Sequence, residues 1–211
     1  MEFGNVKSTD GVFNEGCGFL MMYHGGIMPG RGIECAIKAL SLLPEDTGLV
    51  VMGYGEQSMI ETLRALAEEL GVQDRILFHP AVPVADLKDY IGAADVEMVL
   101  IEGTYCASYA YSLPNKFFES IQACVPMACS DLPEMGKIVR QYDIGILVKE
   151  NDEKSVAEAV MKMRNDKQFY HRLTMNMEKA KEELCWEKES LKLKAAIQGM
   201  METPVKFDGR I

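Results

Sequence analysis

No Cys-x-x-Cys pair occurs in the sequence, and no His/Cys cluster has zinc-ligand spacing, so the usual signatures of a zinc site or a dithiol redox centre are missing. The six cysteines, Cys17, Cys35, Cys106, Cys124, Cys129 and Cys185, are scattered through apolar runs, as expected of free thiols in a reducing compartment. No charged-then-apolar signal opens the chain, and no apolar run approaches the ~20 residues of a membrane-spanning helix. Basic residues are in deficit, and the net charge of -10 argues against a nucleic-acid surface. It leaves open a phosphate-bearing small molecule, for which a few placed cations and helix N-termini suffice. Histidine is scarce: His24, His79 and His171 share no spacing and have no acidic partner close in sequence, so no catalytic histidine pair is expected. Ser108, Ser112 and Ser120 lack a nucleophile-elbow context. Repeats and low-complexity segments are absent too. The expectation is a soluble, cytoplasmic protein.

What remains is an ordinary globular mix, 48% apolar and 26% charged over 211 residues, enough to bury a substantial core. Residues 1–16 are polar and read as a leader or interlobe linker, and 201–211 as a tail. Between them, short apolar runs alternate with helical periodicity. Strands are expected at 18–24, 47–53, 75–79, 96–101, 126–130 and 145–148, with helices at 32–43, 58–71, 86–94, 115–124 and 134–142. From Asp152 onward the chain reads as helical. The pattern predicts an α/β, Rossmann-like lobe: a parallel sheet with helices on both faces. Ligands of such sheets bind beyond the carboxyl ends of the strands, which directs attention to the strand-to-helix loops.

Three loops stand out. "HGGIMPGRG" supplies Gly25 and Gly26, which permit close approach of backbone N–H groups to a phosphate, and Arg31 at the start of the next helix. A tight turn with a surface arginine explains it equally well. "GYGEQS", with Gly53 and Gly55, is half of a dinucleotide fingerprint without its distal acidic residue, which disfavours classical NAD binding. The third, Glu102 to Asn115, is long for a strand-to-helix connection and leads into "SLPNKFFES". One turn into the following helix, Glu119 could take two ribose hydroxyls, or simply sit favourably at a helix N-terminus.

Taken in order, "MMYHGGIMPGRGIECAIKAL", "LVVMGYGEQ", "ILFHPAVPVADLKDYIGAADVEMV", "SLPNKFFESIQACVPMACSDLPEMGKIV" and "GILVKENDEKSVAEAVMKM" resemble the C-terminal lobe of retaining glycosyltransferases of group 1, family 4, with the GT-B fold. The resemblance runs from about Gly18 to Ala196 and takes in "CWEKESLKL", which looks like the family's crossover helix. It implies a UDP- or GDP-sugar as substrate, with no cofactor and no metal. Glu119 matches the second glutamate of the family's E-x7-E motif, which holds the donor ribose. Arg31 matches a basic residue that neutralises the diphosphate, and Gly25 and Gly26 the glycines beside the phosphates. Val82 falls in the loop that flanks the base. Ser112, Pro114, Asn115 and Lys116 match the loop and helix start that face the sugar and diphosphate.

Two positions depart from the pattern. Tyr111 stands where the first glutamate of E-x7-E would contact the donor sugar, and Ile27 where a basic residue often follows the first-loop glycine. Lys116 is a compensating cation. A complete GT-B enzyme has two lobes, so an acceptor lobe is expected on a separate or missing polypeptide, or in its place self-association through exposed apolar residues such as Trp186, Leu191 and Ile197. The resemblance thus implies the donor-binding half of a sugar transferase of polysaccharide biosynthesis, acting on a saccharide or lipid-linked acceptor and peripheral to the membrane as part of a complete enzyme. The alternative is a degenerate, non-catalytic module that binds a partner.

Overall fold

The computed structural model describes residues 17–202, so the expected leader and all but the first two residues of the expected tail lie outside the described residues. Six strands form one parallel sheet: β1 (Phe19–Ile27), β2 (Thr47–Gly55), β3 (Ile76–Pro80), β4 (Val96–Val99), β5 (Met127–Ser130) and β6 (Gly145–Val148). Their order is β3-β2-β1-β4-β5-β6. The chain builds outward from β1 to β3, returns, and builds the other way from β4, so the order reverses between β1 and β4. That reversal opens the crevice in which doubly wound sheets receive ligands.

Helices cover both faces. On one side α1 (Ile33–Leu40), α2 (Gln57–Glu69) and α7 (Glu153–Asn165) close a core around Met21, Tyr23, Val51 and Met98. On the other, α3 (Val84–Ile91) lies over Leu20, Met22 and Met52, while α5 (Asn115–Ala123), α6 (Pro133–Tyr142) and α8 (Lys167–Glu183) enclose Val99, Phe117, Ile121 and Cys129. Burial on both faces is why these strands read as continuous apolar runs rather than alternating ones. The β1–β4 edge is pinned where the order reverses: the Asp95 carboxylate accepts from Leu20 N–H (2.7 Å) and the Tyr170 hydroxyl donates to the Asp95 carbonyl (2.9 Å).

The elements follow the sequence reading closely, with three differences. β1 runs on through Gly25–Ile27 and β2 through Tyr54–Gly55, so Gly25, Gly26 and Gly55, expected in loops, are strand residues, with Gly25 opposite Gly53. A Cβ on Gly53 would collide with the Gly25 carbonyl oxygen, and its absence lets the two strands stay paired to their ends. The long loop after β4 holds a one-turn helix, α4 (Ala107–Ala110), too short to leave a periodic signal. The C-terminal region divides into α7, α8 and α9 (Trp186–Glu202). Among the described residues no helix is long and apolar enough to cross a membrane.

Candidate functional site

At the carboxyl ends of β1, β2 and β3, a cleft of about 460 Å3 opens between the two halves of the sheet. Its floor is the end of β1 and β2, with Gly25, Gly26 and Gly53. The β3–α3 loop brings Val82 to one wall, and Ser112, Pro114, Asn115, Lys116 and Glu119 form the opposite one. Arg31 enters from the turn before α1. Gly55 does not join them: it closes β2 against Ile27, one step past the cleft. Tyr111 is 69% exposed and not part of the lining.

Local sequence explains this placement. Gly32, at φ 69°, turns the chain from β1 into α1 and packs against Leu100, where a side chain would meet the backbone. Gly30 lies against Tyr105, which stacks on Tyr109 (centroids 5.4 Å apart), and the Arg31 guanidinium lies 4.4 Å over the Tyr109 ring. The long loop is thereby tied to the β1–α1 turn, and Arg31 is held by stacking. Pro114 caps α5 in extended conformation with no side-chain hydrogen bond, so the first N–H groups of α5 are left for a ligand or water.

Lys116, expected to supply a compensating cation, is a buried side chain, its ammonium 3.3 Å from the centroid of the Tyr23 ring. Burial pushes its pKa down to about 7; Arg31 adds to the depression, and Glu97 and Glu119 act against it.

The sequence reading missed His24. It is buried at the end of β1, its Nδ1 3.0 Å from Glu97 Oε1 and its Nε2 2.9 Å from Glu119 Oε2, so it has two acidic partners where none was expected. They lie 73 and 95 residues away in the chain, on β4 and α5. Burial disfavours the charged ring, but the Glu97 charge and the bonds to Glu119 and Glu97 outweigh it, raising the pKa to about 9. One signal was available in the sequence: Glu97 interrupts the apolar strand "VEMV", and a fully buried carboxylate needs a partner. Among the described residues no group of three or more His, Cys, Asp or Glu side chains could hold a metal ion.

The family model of the glycosyl transferases group 1 matches residues 16–180. The chain belongs to this family. The glycosyl transferase domain is 26% identical over 196 residues to a D-inositol 3-phosphate glycosyltransferase of Thermomonospora curvata, covering 88% of this chain and 44% of that one. It superposes on HepE of Anabaena, solved in complex with UDP and glucose, with a TM-score of 0.69 at 16% identity, over 78% of this chain and 44% of HepE. It also superposes on the C-terminal domain of a group 1 glycosyl transferase, LpcC, from Francisella tularensis, with a TM-score of 0.64 at 16% identity, over 75% of this chain and 82% of that domain. The chain spans less than half the length of the D-inositol 3-phosphate glycosyltransferases it matches. Its fold is that of a Rossmann-like GT-B lobe, as its motifs implied.

Proposed function

We propose that the cleft binds a nucleoside-diphosphate sugar and that the chain is the donor-binding half of a glycosyltransferase. One observation carries the reading: a carboxylate, uncapped helix N–H groups, a glycine floor and two basic side chains converge at the switch point of the sheet. Glu119 takes the ribose hydroxyls, Val82 lies beside the base, and Gly25 and Gly26 give the diphosphate access to backbone. Gly53 keeps that floor flat, and Ser112 and Asn115 face the sugar from the opposite wall. The α5 N-terminus, which Pro114 opens, Arg31 and Lys116 meet the diphosphate; charge that develops on it as the glycosidic bond breaks is stabilised there without reorganisation. The reaction we propose for the whole enzyme is transfer with retention to a saccharide or lipid-linked acceptor, with a second lobe for the acceptor. The greater length of the relatives supports that arrangement, as do the exposed apolar residues of α9.

Calorimetry with UDP and GDP tests the proposal. At least one diphosphate is expected to bind the folded chain, and Glu119→Ala is expected to weaken it at least about tenfold, the worth of one charge-assisted hydrogen bond. No heat from either nucleotide with folded protein would overturn it. A second reading, a non-catalytic donor-like module, is favoured by the exposed Tyr111, which leaves the cleft without the family's first E-x7-E carboxylate. Under that reading partner binding survives Glu119→Ala unchanged.

A further inference from the structure

His24 touches a carboxylate oxygen with each ring nitrogen. A neutral imidazole has one N–H and can donate to only one of them; ionised carboxylates on both sides require both nitrogens protonated. The two carboxylates are unlike. Glu97 is fully buried in β4, where its Oε1 also accepts from the His24 backbone N–H (3.3 Å) and its Oε2 has no hydrogen-bond partner. An ionised side chain in that position needs a buried cation beside it. Glu119 lies at the cleft, its side chain 35% exposed, with Oε2 pinned by His24. His24 therefore joins an anchored carboxylate in the sheet to a ligand-facing carboxylate on the first turns of α5. A carboxylate fixed at one oxygen is pre-oriented, which lowers the cost of ordering it when a ligand arrives.

We infer that His24 is a positioning residue, held as an imidazolium by Glu97 and aiming the Glu119 carboxylate at the ribose hydroxyls of the bound nucleotide. This rests on the nucleotide reading of the cleft. It also explains a charged residue inside an otherwise apolar strand: Glu97 is there to keep His24 charged and facing α5. Lys116, the other titratable group beside the ring, opposes that charge, and burial pushes its own pKa down to about 7.

The test compares UDP with 2′,3′-dideoxyuridine diphosphate, which lacks the hydroxyls Glu119 would hold. Titrations use the wild-type chain, His24→Asn, Glu119→Gln and the double variant. The wild type is expected to prefer UDP by about tenfold or more, and His24→Asn to lose most of that preference while binding the dideoxy nucleotide within about twofold of wild type. The double variant should be no weaker than Glu119→Gln alone, because the two residues act through one contact. A wild-type preference ratio retained in His24→Asn overturns the inference, as does an equal loss for both nucleotides. If the wild type binds neither UDP nor GDP, the nucleotide reading itself has failed, which is a different result. Should His24→Asn not fold with Glu97 left unpaired, His24→Asn/Glu97→Gln removes both charges and is read by the same ratio. Nitrogen-15 spectra of the wild-type imidazole give an independent reading: both nitrogens protonated at neutral pH support the inference, and a neutral tautomer overturns it.

Discussion

Lys116 and His24 are buried side by side with opposite titration behaviour. The His24 pKa is raised from 6.5 to about 9, so its contribution to stability is fully present below 6.5 and is lost as pH rises through 9. The Lys116 pKa is lowered from 10.5 to about 7, so the folded chain is favoured above 10.5 and that advantage is lost as pH falls through 7. Between about 7 and 9 the folded state keeps a proton on His24 that the unfolded chain releases, and lacks one on Lys116 that the unfolded chain holds. The two slopes oppose, leaving this pair's contribution nearly level. Lys116→Met should unmask the His24 slope: relative to wild type, its unfolding free energy in urea should fall across that window by about 1.4 kcal/mol per pH unit at most. Parallel pH profiles for variant and wild type would refute this account. That a lysine of the "LPNK" segment would be buried was not legible locally, because its burial is made by Tyr23 and the β1 end, far away in sequence.

Among the elements, the paired ends of β1 and β2 matter most to the cleft. Sequence indicated glycine-rich loops there; the sheet register instead puts Gly25 against Gly53 within the strands. Turn composition and strand-end composition look alike when glycine serves close packing rather than a bend. Gly53→Ala places a methyl group on the Gly25 carbonyl, so β1 and β2 must separate where the floor of the cleft lies. The variant should lose about 1–3 kcal/mol, the usual cost of overpacking, visible as a lower thermal midpoint. It should also bind UDP more weakly than Gly71→Ala, which strains the backbone at φ 67° but places its methyl in open space and leaves the cleft floor untouched. Equal binding by the two variants would separate the strand ends from nucleotide binding. The helices were easier to read: Phe117 and Ile121 bury one face of α5 at helical spacing, and that same spacing leaves Glu119 on the cleft side.

On the scale of the whole molecule, α9 stands apart from the packed domain. Every side chain from 191 to 200 is exposed, including Leu191, Leu193, Ile197 and Met200, and Trp186 at its start is 69% exposed. A helix of this length gains little from propensity alone and is ordinarily stabilised by packing an apolar face. The expected consequence is self-association at high concentration, or capture of an acceptor lobe supplied from elsewhere. Sedimentation velocity should show mass rising with concentration for the wild type, and a monomer at all concentrations for Leu193→Glu/Ile197→Lys. A wild type that remains monomeric throughout, with no acceptor lobe present, would contradict the self-association arm.

The sequence by itself determined the alternation of strand and helix, and with it the parallel sheet, because burial on both faces leaves a one-dimensional trace in apolar runs and helical spacing. Ordered motifs carried the family likeness, and ten of the eleven residues singled out lie around a single cleft. Only the tertiary structure decided which charges meet. Crossing from β3 back to β4 sets Glu97 beside the end of β1, and α5 then brings Glu119 to the other nitrogen of His24. Contacts that span 73 and 95 residues are fixed by sheet order and register, which no local pattern encodes, so the bridged histidine became visible only in the fold.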